Sequence, residues 1–316
     1  MTARPLVLQT EQLDEAAHAW LAERCEIIRC PSDDPAFASH LPRADALLIR
    51  TYTTVNESLL ARAPRLKAVA RAGVGLDNVD LPACAARTIT VVSTPGANTR
   101  AVLELVTAFM LDDLRPRPTV PRALNPSDWS TLRKNAIAPT QLCDLALGIL
   151  GLGRVGSGLA RVAAAMNMRT VYHDLLDIPE SNRSGAAPLP FESVLREADI
   201  LSIHVDGRAS NKHLINAHAL SLCKPTALII NTSRGFVLDP AALAAFLRAS
   251  PSARAVLDVH DPEPFGPDYP LLNLPNCRLT PHIGAATATA HANMSWVVKD
   301  LWRVLSGEKP QHPATP

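Results

Sequence analysis

One turn near the middle of the chain constrains the fold more than any other feature. The apolar run Leu145-Ala-Leu-Gly-Ile-Leu150 feeds directly into Gly151-Leu-Gly153-Arg-Val-Gly156, and a helix-forming stretch, Ser157 to Asn167, follows. Strand, glycine turn and helix in that register make a cradle for a pyrophosphate. Gly151 permits the tight turn, Gly153 lets the backbone approach the phosphates, and Gly156 lets the helix pack close to the strand. The helix also offers unpaired N–H groups and the positive end of its dipole. The next strand, Arg169-Thr-Val-Tyr-His173, ends at Asp174, 18 residues beyond Gly156. A carboxylate there accepts from a ribose 2′-hydroxyl and repels a 2′-phosphate, which points to NAD rather than NADP.

Because the turn begins near residue 145, nearly half of the 316 residues precede it and must form something else. Apolar runs of strand length recur there at Pro5–Gln9, Glu26–Arg29, Asp45–Ile49, Lys67–Ala70 and Ile89–Val92. Helical patterns separate most of them, as at Glu11–Glu23, Glu57–Ala63 and Leu81–Arg87. After Leu145–Leu150 a second series follows: Arg169–His173, Ile200–Val205, Ala227–Asn231, Ala255–Val259 and Arg278–Thr280. Strands alternating with helices mean parallel sheets covered on both faces. The expected fold is therefore α/β: two Rossmann-like or flavodoxin-like, doubly wound parallel-sheet domains with a cleft between them. Ligands of such sheets sit at the carboxyl ends of strands, which makes that cleft the expected active site.

Between the two series lies a helix pattern, Asn98 to Leu114, and then Pro116, Pro118 and Pro121. Prolines at that density end a helix, so a stiff loop is expected through Asn125-Pro126-Ser127-Asp128. One last helix is expected over Ala286–Leu305, with a frayed Pro-rich tail from Lys309 to Pro316.

Composition narrows the partners. A net charge of +1 gives no electrostatic reason to bind nucleic acid or an anionic membrane. No run approaches the roughly 18 apolar residues of a membrane span. Met1 to Thr10 is too short an apolar start for a signal peptide. The six cysteines, Cys25, Cys30, Cys84, Cys143, Cys223 and Cys277, form no C-x-x-C pair and no zinc-finger spacing. They read as reduced, mostly buried thiols, with no metal site and a cytoplasmic location expected.

Three polar residues follow strands of the second series. Arg234 lies in Ile230-Asn-Thr-Ser-Arg-Gly235, Glu263 in Leu257-Asp-Val-His-Asp-Pro-Glu-Pro264, and His282 in Leu279-Thr-Pro-His-Ile-Gly284. Oxidation of a hydroxy acid needs a base near neutral pH, which suits His282. It needs a carboxylate to orient that base and favour its charged form, which suits Glu263, although Asp258 and Asp261 compete on spacing. It needs a planar cation to grip the substrate carboxylate and polarise the carbonyl oxygen, which suits Arg234. His204, His213 and His291 have no comparable setting for acid–base work.

With these segments in order, the chain resembles the D-isomer-specific 2-hydroxyacid dehydrogenases over nearly its whole length. The resemblance rests on Arg71-Ala-Gly-Val-Gly-Leu-Asp-Asn-Val-Asp80, the Gly151–Gly156 turn, Asn231-Thr-Ser-Arg-Gly235, Leu257-Asp-Val through Glu263-Pro264, and Thr280-Pro-His-Ile-Gly-Ala-Ala-Thr287. It implies an NAD-dependent enzyme acting on a small 2-hydroxy or 2-keto acid, with Arg234, Glu263 and His282 catalytic. It implies that the substrate carboxylate meets the loop Ala72–Gly75 through the N–H groups of Val74 and Gly75. Pyrophosphate contacts fall on Arg154 and Val155, the ribose acid on Asp174, and the nicotinamide amide on Asp258. Further cofactor contacts fall on His204, Thr232 and Gly284. The resemblance also implies a split first domain, 1–97 plus 287–316, binding substrate, and an NAD domain over 98–286 that closes against it. A homodimer built on the segment after the first crossing is expected.

Within the family, Arg50 in Leu48-Ile-Arg-Thr-Tyr and Asn98-Thr-Arg-Ala-Val-Leu-Glu104 resemble phosphoglycerate dehydrogenases, which implies that Arg50 faces the far end of the substrate. Hydroxypyruvate and glyoxylate are kindred expected substrates. Two segments depart from the family pattern: the proline-rich Asp112–Pro118, and Asp206-Gly-Arg-Ala-Ser-Asn211, which replaces a Pro/Thr-rich loop beside the adenosine pocket. Two other readings share the scaffold. One is an NAD(H)-sensing corepressor whose work is partner recruitment. The other is a dehydrogenase of a different small acid, such as phosphite; a formate enzyme would carry Gln rather than Glu263.

Overall fold

Side chains along each buried strand point alternately to two apolar layers, so each sheet is packed on both faces. In the computed structural model, which describes residues 4–115 and 117–315, this happens twice. Met1–Ala3, Pro116 of the proline-rich stretch and Pro316 of the tail lie outside the described residues. The chain divides into two compact units, Met1–Asn98 with Ala285–Pro316, and Thr99–Gly284. The chain passes from one unit to the other at Asn98–Thr99 and again at Gly284–Ala285.

The first unit contains β1 (Leu6–Gln9), α1 (Glu15–Ala22), β2 (Glu26–Arg29), α2 (Pro35–His40), β3 (Ala46–Ile49), α3 (Glu57–Leu60), β4 (Ala68–Arg71), α4 (Leu81–Ala86) and β5 (Thr90–Val92). Its sheet is parallel with order β2-β1-β3-β4-β5. Leu8, Leu47, Ile49, Val69 and Val91 face one core. Val7, Ala46, Leu48, Ala68 and Val92 face the other.

The second unit carries α5 (Thr99–Leu114), α6 (Pro126–Asn135), β6 (Ala146–Leu150), α7 (Arg154–Ala165), β7 (Arg169–His173), α8 (Glu180–Arg183), β8 (Ala187–Pro188), α9 (Phe191–Glu197), β9 (Ile200–Ile203), α10 (Ala217–Leu222), β10 (Leu228–Asn231), α11 (Pro240–Ala249), β11 (Arg254–Leu257) and β12 (Cys277–Leu279). Its seven parallel strands run β12-β11-β10-β9-β6-β7-β8. The order reverses direction at β6, where a doubly wound sheet opens its ligand crevice at the carboxyl ends of the strands. Leu150, Ile203, Ile229 and Leu257 pack on one face. Ile149, Ile200, Ile230 and Val256 pack on the other.

The chain then returns to the first unit with α12 (Ala288–Ser295) and α13 (Val298–Leu305). Val298 and Leu301 of α13 are fully buried against the sheet, worth about 1.5–3 kcal/mol each by removal from water.

Four local expectations differ from the structure. The stretch expected as loop after Asn125 is α6: Asn125 caps it by accepting from Asp128 N–H at 2.8 Å, and Pro126 occupies its first turn. The helix buries none of its residues, so it has no apolar stripe for periodicity to reveal. The single last helix is two, because Ser295 turns its hydroxyl back to His291 O at 2.8 Å and accepts Asp14 N–H at 3.0 Å, and the chain bends at Trp296–Val297. A two-residue edge strand, β8, is too short to show as a pattern. The tail is tied down rather than frayed: Asp300 receives the N–H groups of Gln311 and His312 at 3.0 and 2.7 Å, and Ala314 N–H donates to Val91 O at 2.8 Å. No described helix is long and apolar enough to cross a membrane.

Candidate active site

Arg234, Glu263 and His282 follow β10, β11 and β12, three neighbouring parallel strands of the second unit, so all three leave the same edge of the sheet. Glu263 Oε2 lies 2.7 Å from His282 Nδ1, which settles the choice among Asp258, Asp261 and Glu263 as the imidazole's partner. The other oxygen, Oε1, accepts His260 N–H at 2.6 Å. Burial alone would raise the Glu263 pKa. The hydrogen bonds from His282 and His260 outweigh it, and the carboxyl is held below its ordinary value. The hydrogen bond to Glu263 raises the His282 pKa, against smaller opposition from burial and from the charge of Arg234. The Arg234 charge is thus felt at the imidazole. With Nδ1 tied to the carboxylate, Nε2 is the atom left to exchange a proton with a ligand.

His282 stands in a left-handed backbone conformation, φ 54°, which a residue with a Cβ adopts only when its surroundings hold it there. Asp258 is the brace. It is 1% exposed and accepts Thr280 Oγ1 at 2.6 Å, Ile283 N–H at 2.8 Å and Gly284 N–H at 2.7 Å. Both N–H groups following His282 are therefore anchored to one buried carboxylate. A Cβ on Gly284 would press on Asp258 Oδ2 at 3.1 Å, so the glycine keeps that bond short.

Two residues that sequence reasoning passed over complete the scaffold. His260 bridges loops: its N–H holds Glu263, and Nε2 lies 2.9 Å from Thr280 O. Asn231, 1% exposed, accepts Ser233 N–H at 3.0 Å and donates to Arg234 O at 3.0 Å, so it shapes the turn that projects Arg234. Arg234 Nη1 also donates to Ser233 O at 2.7 Å. Their only sequence signal was position inside the two motifs.

The glycine turn fits a dinucleotide. Gly151 has φ 87°, and a Cβ there would meet His204 O at 2.8 Å, so the turn packs directly on the backbone after β9. Gly153 caps α7, and nothing lies within 4 Å of where its Cβ would be, which leaves open space over the N–H groups of Arg154 and Val155. Asp174 is half-buried and accepts Leu152 N–H at 2.7 Å and Leu176 N–H at 2.9 Å, which ties it to the turn. Thr232 Oγ1 is buried without a hydrogen-bond partner among the described residues, a polar atom that a ligand would satisfy. His204 Nε2 lies 2.8 Å from Ser202 Oγ, and burial lowers its pKa to about 4, so the ring is neutral. In the departing loop, Asp206 grips Arg208 Nε at 2.7 Å and Asn211 Nδ2 at 3.0 Å, a side-chain clasp in place of prolines. No group of three potential metal ligands gathers among the described residues.

The substrate residues read from the sequence belong to the first unit. Val74 and Gly75 follow β4, and among the described residues their N–H groups donate to no partner. Two free, partly accessible donors in succession suit a carboxylate. Arg50 leaves the end of β3.

Residues 107–284 match a family model described as D-isomer specific 2-hydroxyacid dehydrogenase, NAD binding domain. The chain is 36% identical over 308 residues to a D-3-phosphoglycerate dehydrogenase of Mycobacterium tuberculosis, covering 96% of this chain and 57% of that protein. It is 35% identical over 301 residues to an (S)-sulfolactate dehydrogenase of Chromohalobacter salexigens, covering 93% of this chain and 96% of that one. Among solved structures it is similar to the TT0316 protein from Thermus thermophilus, with a TM-score of 0.84 and 33% identity over 98% of this chain and 100% of that chain. The chain thus spans little more than half the length of the phosphoglycerate dehydrogenase and nearly all of the sulfolactate enzyme.

Proposed function

The chain belongs to the D-isomer specific 2-hydroxyacid dehydrogenase family, and on that premise we propose that it interconverts a small D-2-hydroxy acid and its 2-oxo acid with NAD. The observation that carries this reading is the Glu263–His282 pair at 2.7 Å beside the charge of Arg234. NAD, when bound, supplies the hydride acceptor in oxidation and, reduced, the donor. Gly151, Gly153, Arg154, Val155 and Gly156 would hold its pyrophosphate. Asp174 would hold the ribose, and His204, Thr232, Asp258 and Gly284 would lie along the remainder. Asp258 Oδ2 accepts one N–H in the structure, so a lone pair is left for a nicotinamide amide.

In reduction, protonated His282 donates from Nε2 to the carbonyl oxygen, and Glu263 stabilises the charge on the ring beforehand. Arg234 polarises that oxygen and grips the carboxylate, whose other contacts are the N–H groups of Val74 and Gly75. In oxidation the same Nε2, neutral, accepts the hydroxyl proton. Arg50 takes the far end of the substrate.

Two finer points belong to the same reading. The protein is a homodimer, supported by the exposed Trp129 and Ile137, 50% and 76% accessible, on and just after α6. It is cytoplasmic, supported by six free cysteines; burial pushes the Cys223 and Cys277 thiols up to about 12, so they are inert. The test is NADH consumption with hydroxypyruvate, glyoxylate, pyruvate and phosphohydroxypyruvate, with NADPH alongside. Turnover with at least one and preference for NADH are expected; no turnover with any overturns the reading.

A further inference from the structure

Four hydrogen bonds join Glu263 and His282 into a closed circuit. Glu263 Oε2 lies 2.7 Å from His282 Nδ1. The His282 N–H donates back to Thr280 O at 3.0 Å. The same carbonyl oxygen lies 2.9 Å from His260 Nε2. The His260 N–H then returns to Glu263 Oε1 at 2.6 Å. Apart from the side chains of Glu263 and His282, the circuit is backbone except at one point, the imidazole of His260. That ring ties the loop after β11 to the loop after β12.

A carbonyl oxygen only accepts, so His260 Nε2 carries a proton. Nδ1 faces the Tyr269 hydroxyl at a long 3.4 Å. Burial pushes the Tyr269 phenol up to about 12, so it keeps the proton it offers to Nδ1. The ring has little room to turn. His260 is 7% exposed, and its ring stands at 75° to Phe265 and 90° to Tyr269, which stack on each other at 4.6 Å. The left-handed backbone of His282 is thereby held from both sides. Asp258 takes the two N–H groups that follow it, and His260 fixes the carbonyl two residues before it.

We propose that His260 is a positioning residue for the reaction: by fixing Thr280 O, its Nε2–H holds the His282 ring against Glu263. The inference rests on the proposed function, because it takes His282 as the acid and Glu263 as its partner. The Glu263 hydrogen bond is the largest influence on the His282 pKa and raises it; Asp258 raises it too, while burial and Arg234 lower it. Of these, the hydrogen bond depends most on the angle of the ring. Opening the circuit at His260 should therefore weaken that bond and let His282 lose its proton at lower pH.

The experiment follows reduction of whichever of the four oxo acids is turned over fastest, across pH, with urea unfolding alongside. The backbone N–H of residue 260 survives every substitution, so each variant opens the circuit at one link only. His260→Phe keeps a flat ring against Phe265 and Tyr269 and loses Nε2–H. Its kcat at pH 8 should fall about tenfold and its alkaline limb should move to lower pH, with KM for NADH changed less than about twofold. His260→Gln, whose amide N–H reaches about as far as Nε2, should recover most of the rate and of the limb. A residue that only supports the fold would lower the urea midpoint and leave the limb in place. An unmoved limb in His260→Phe, or an equal displacement in His260→Gln, therefore overturns the proposal. If His260→Phe does not fold, histidine 15N spectra of the wild type decide, with His260→Gln marking the resonance. A ring protonated on Nε2 is expected, and one protonated on Nδ1 alone overturns the proposal. If no oxo acid is turned over, the proposed function has failed on its own. The His282 titration, followed in the same spectra, is then expected at lower pH in His260→Phe than in the wild type, and an unchanged titration overturns the proposal.

Discussion

Glu263 divides its carboxylate between two histidines, giving Oε2 to the ring of His282 at 2.7 Å and Oε1 to the backbone N–H of His260 at 2.6 Å. The hydrogen bond raises the His282 pKa and lowers that of Glu263. Reduction needs charged His282, so it runs below the raised pKa and declines as pH climbs through it. Glu263→Gln removes the negative charge and should move this decline to lower pH. At pH 8 turnover should fall roughly tenfold or more, while the rate at low pH suffers less. An unmoved pH profile would show that Glu263 does not set the charge of His282.

The same pair bears on stability. The His282 contribution is full below its unfolded pKa near 6.5 and is lost as pH rises through the folded value. The Glu263 contribution is full above its unfolded value near 4.5 and is lost as pH falls through the folded one. Between the two folded pKa values the ion pair is intact. Urea unfolding of wild type and Glu263→Gln across pH should show a difference confined to that window, and a difference independent of pH would argue against the pair.

His282→Ala should reduce turnover by roughly 10²–10⁴, the usual worth of a positioned acid. NADH binding, followed by fluorescence, should change by less than about twofold, because no bond holding the glycine turn involves His282. Retained turnover would move the acid elsewhere, and lost NADH binding would make the residue structural.

Asp258→Ala should cost stability as well as activity. It leaves the buried Gly284 N–H and the partly buried Ile283 N–H without their acceptor, and the Thr280 hydroxyl with only Leu257 O at 3.4 Å, about 2–4 kcal/mol in total if the loop does not open to water. Chemical denaturation measures this directly. A loss of activity with no loss of stability would restrict Asp258 to cofactor contact.

The glycine turn offers a matched pair. Gly153→Ala places a methyl where nothing lies within 4 Å, so the melting temperature should hold while the Kd for NADH rises about tenfold. Gly156→Ala drives its methyl against Ile149 Cγ2 at 3.1 Å and the Gly151 carbonyl, so the fold should lose about 1–3 kcal/mol. Normal NADH affinity in Gly153→Ala would mean that the phosphates sit elsewhere.

The fold was legible where burial imposes a period. β2 and β7 have the bounds their apolar runs suggested, and the other predicted strands lie within a residue or two of theirs. Legibility failed where burial is absent or tertiary. α6 buries nothing, and only Asn125 and Pro126 mark its start. The bend between α12 and α13 follows from a contact between Ser295 and Asp14, residues far apart in sequence. At the site, residue types and strand ends pointed to Arg234, Glu263 and His282. Spacing alone left Asp258 and Asp261 as rivals to Glu263, since the choice depends on how a loop closes in space. Asn231 and His260 act through backbone groups, which side-chain identity does not advertise.

The strand-like tail has a practical consequence. Pro313 bridges Val92 antiparallel, and Ala314 N–H bonds Val91 O, so the last described residues cover the outer rim of β5. Trimming the chain at Gln311 would uncover the unpaired amides and carbonyls of that rim. An uncovered rim is a template for pairing with another molecule, so trimmed preparations should aggregate beyond the dimer while untrimmed ones do not.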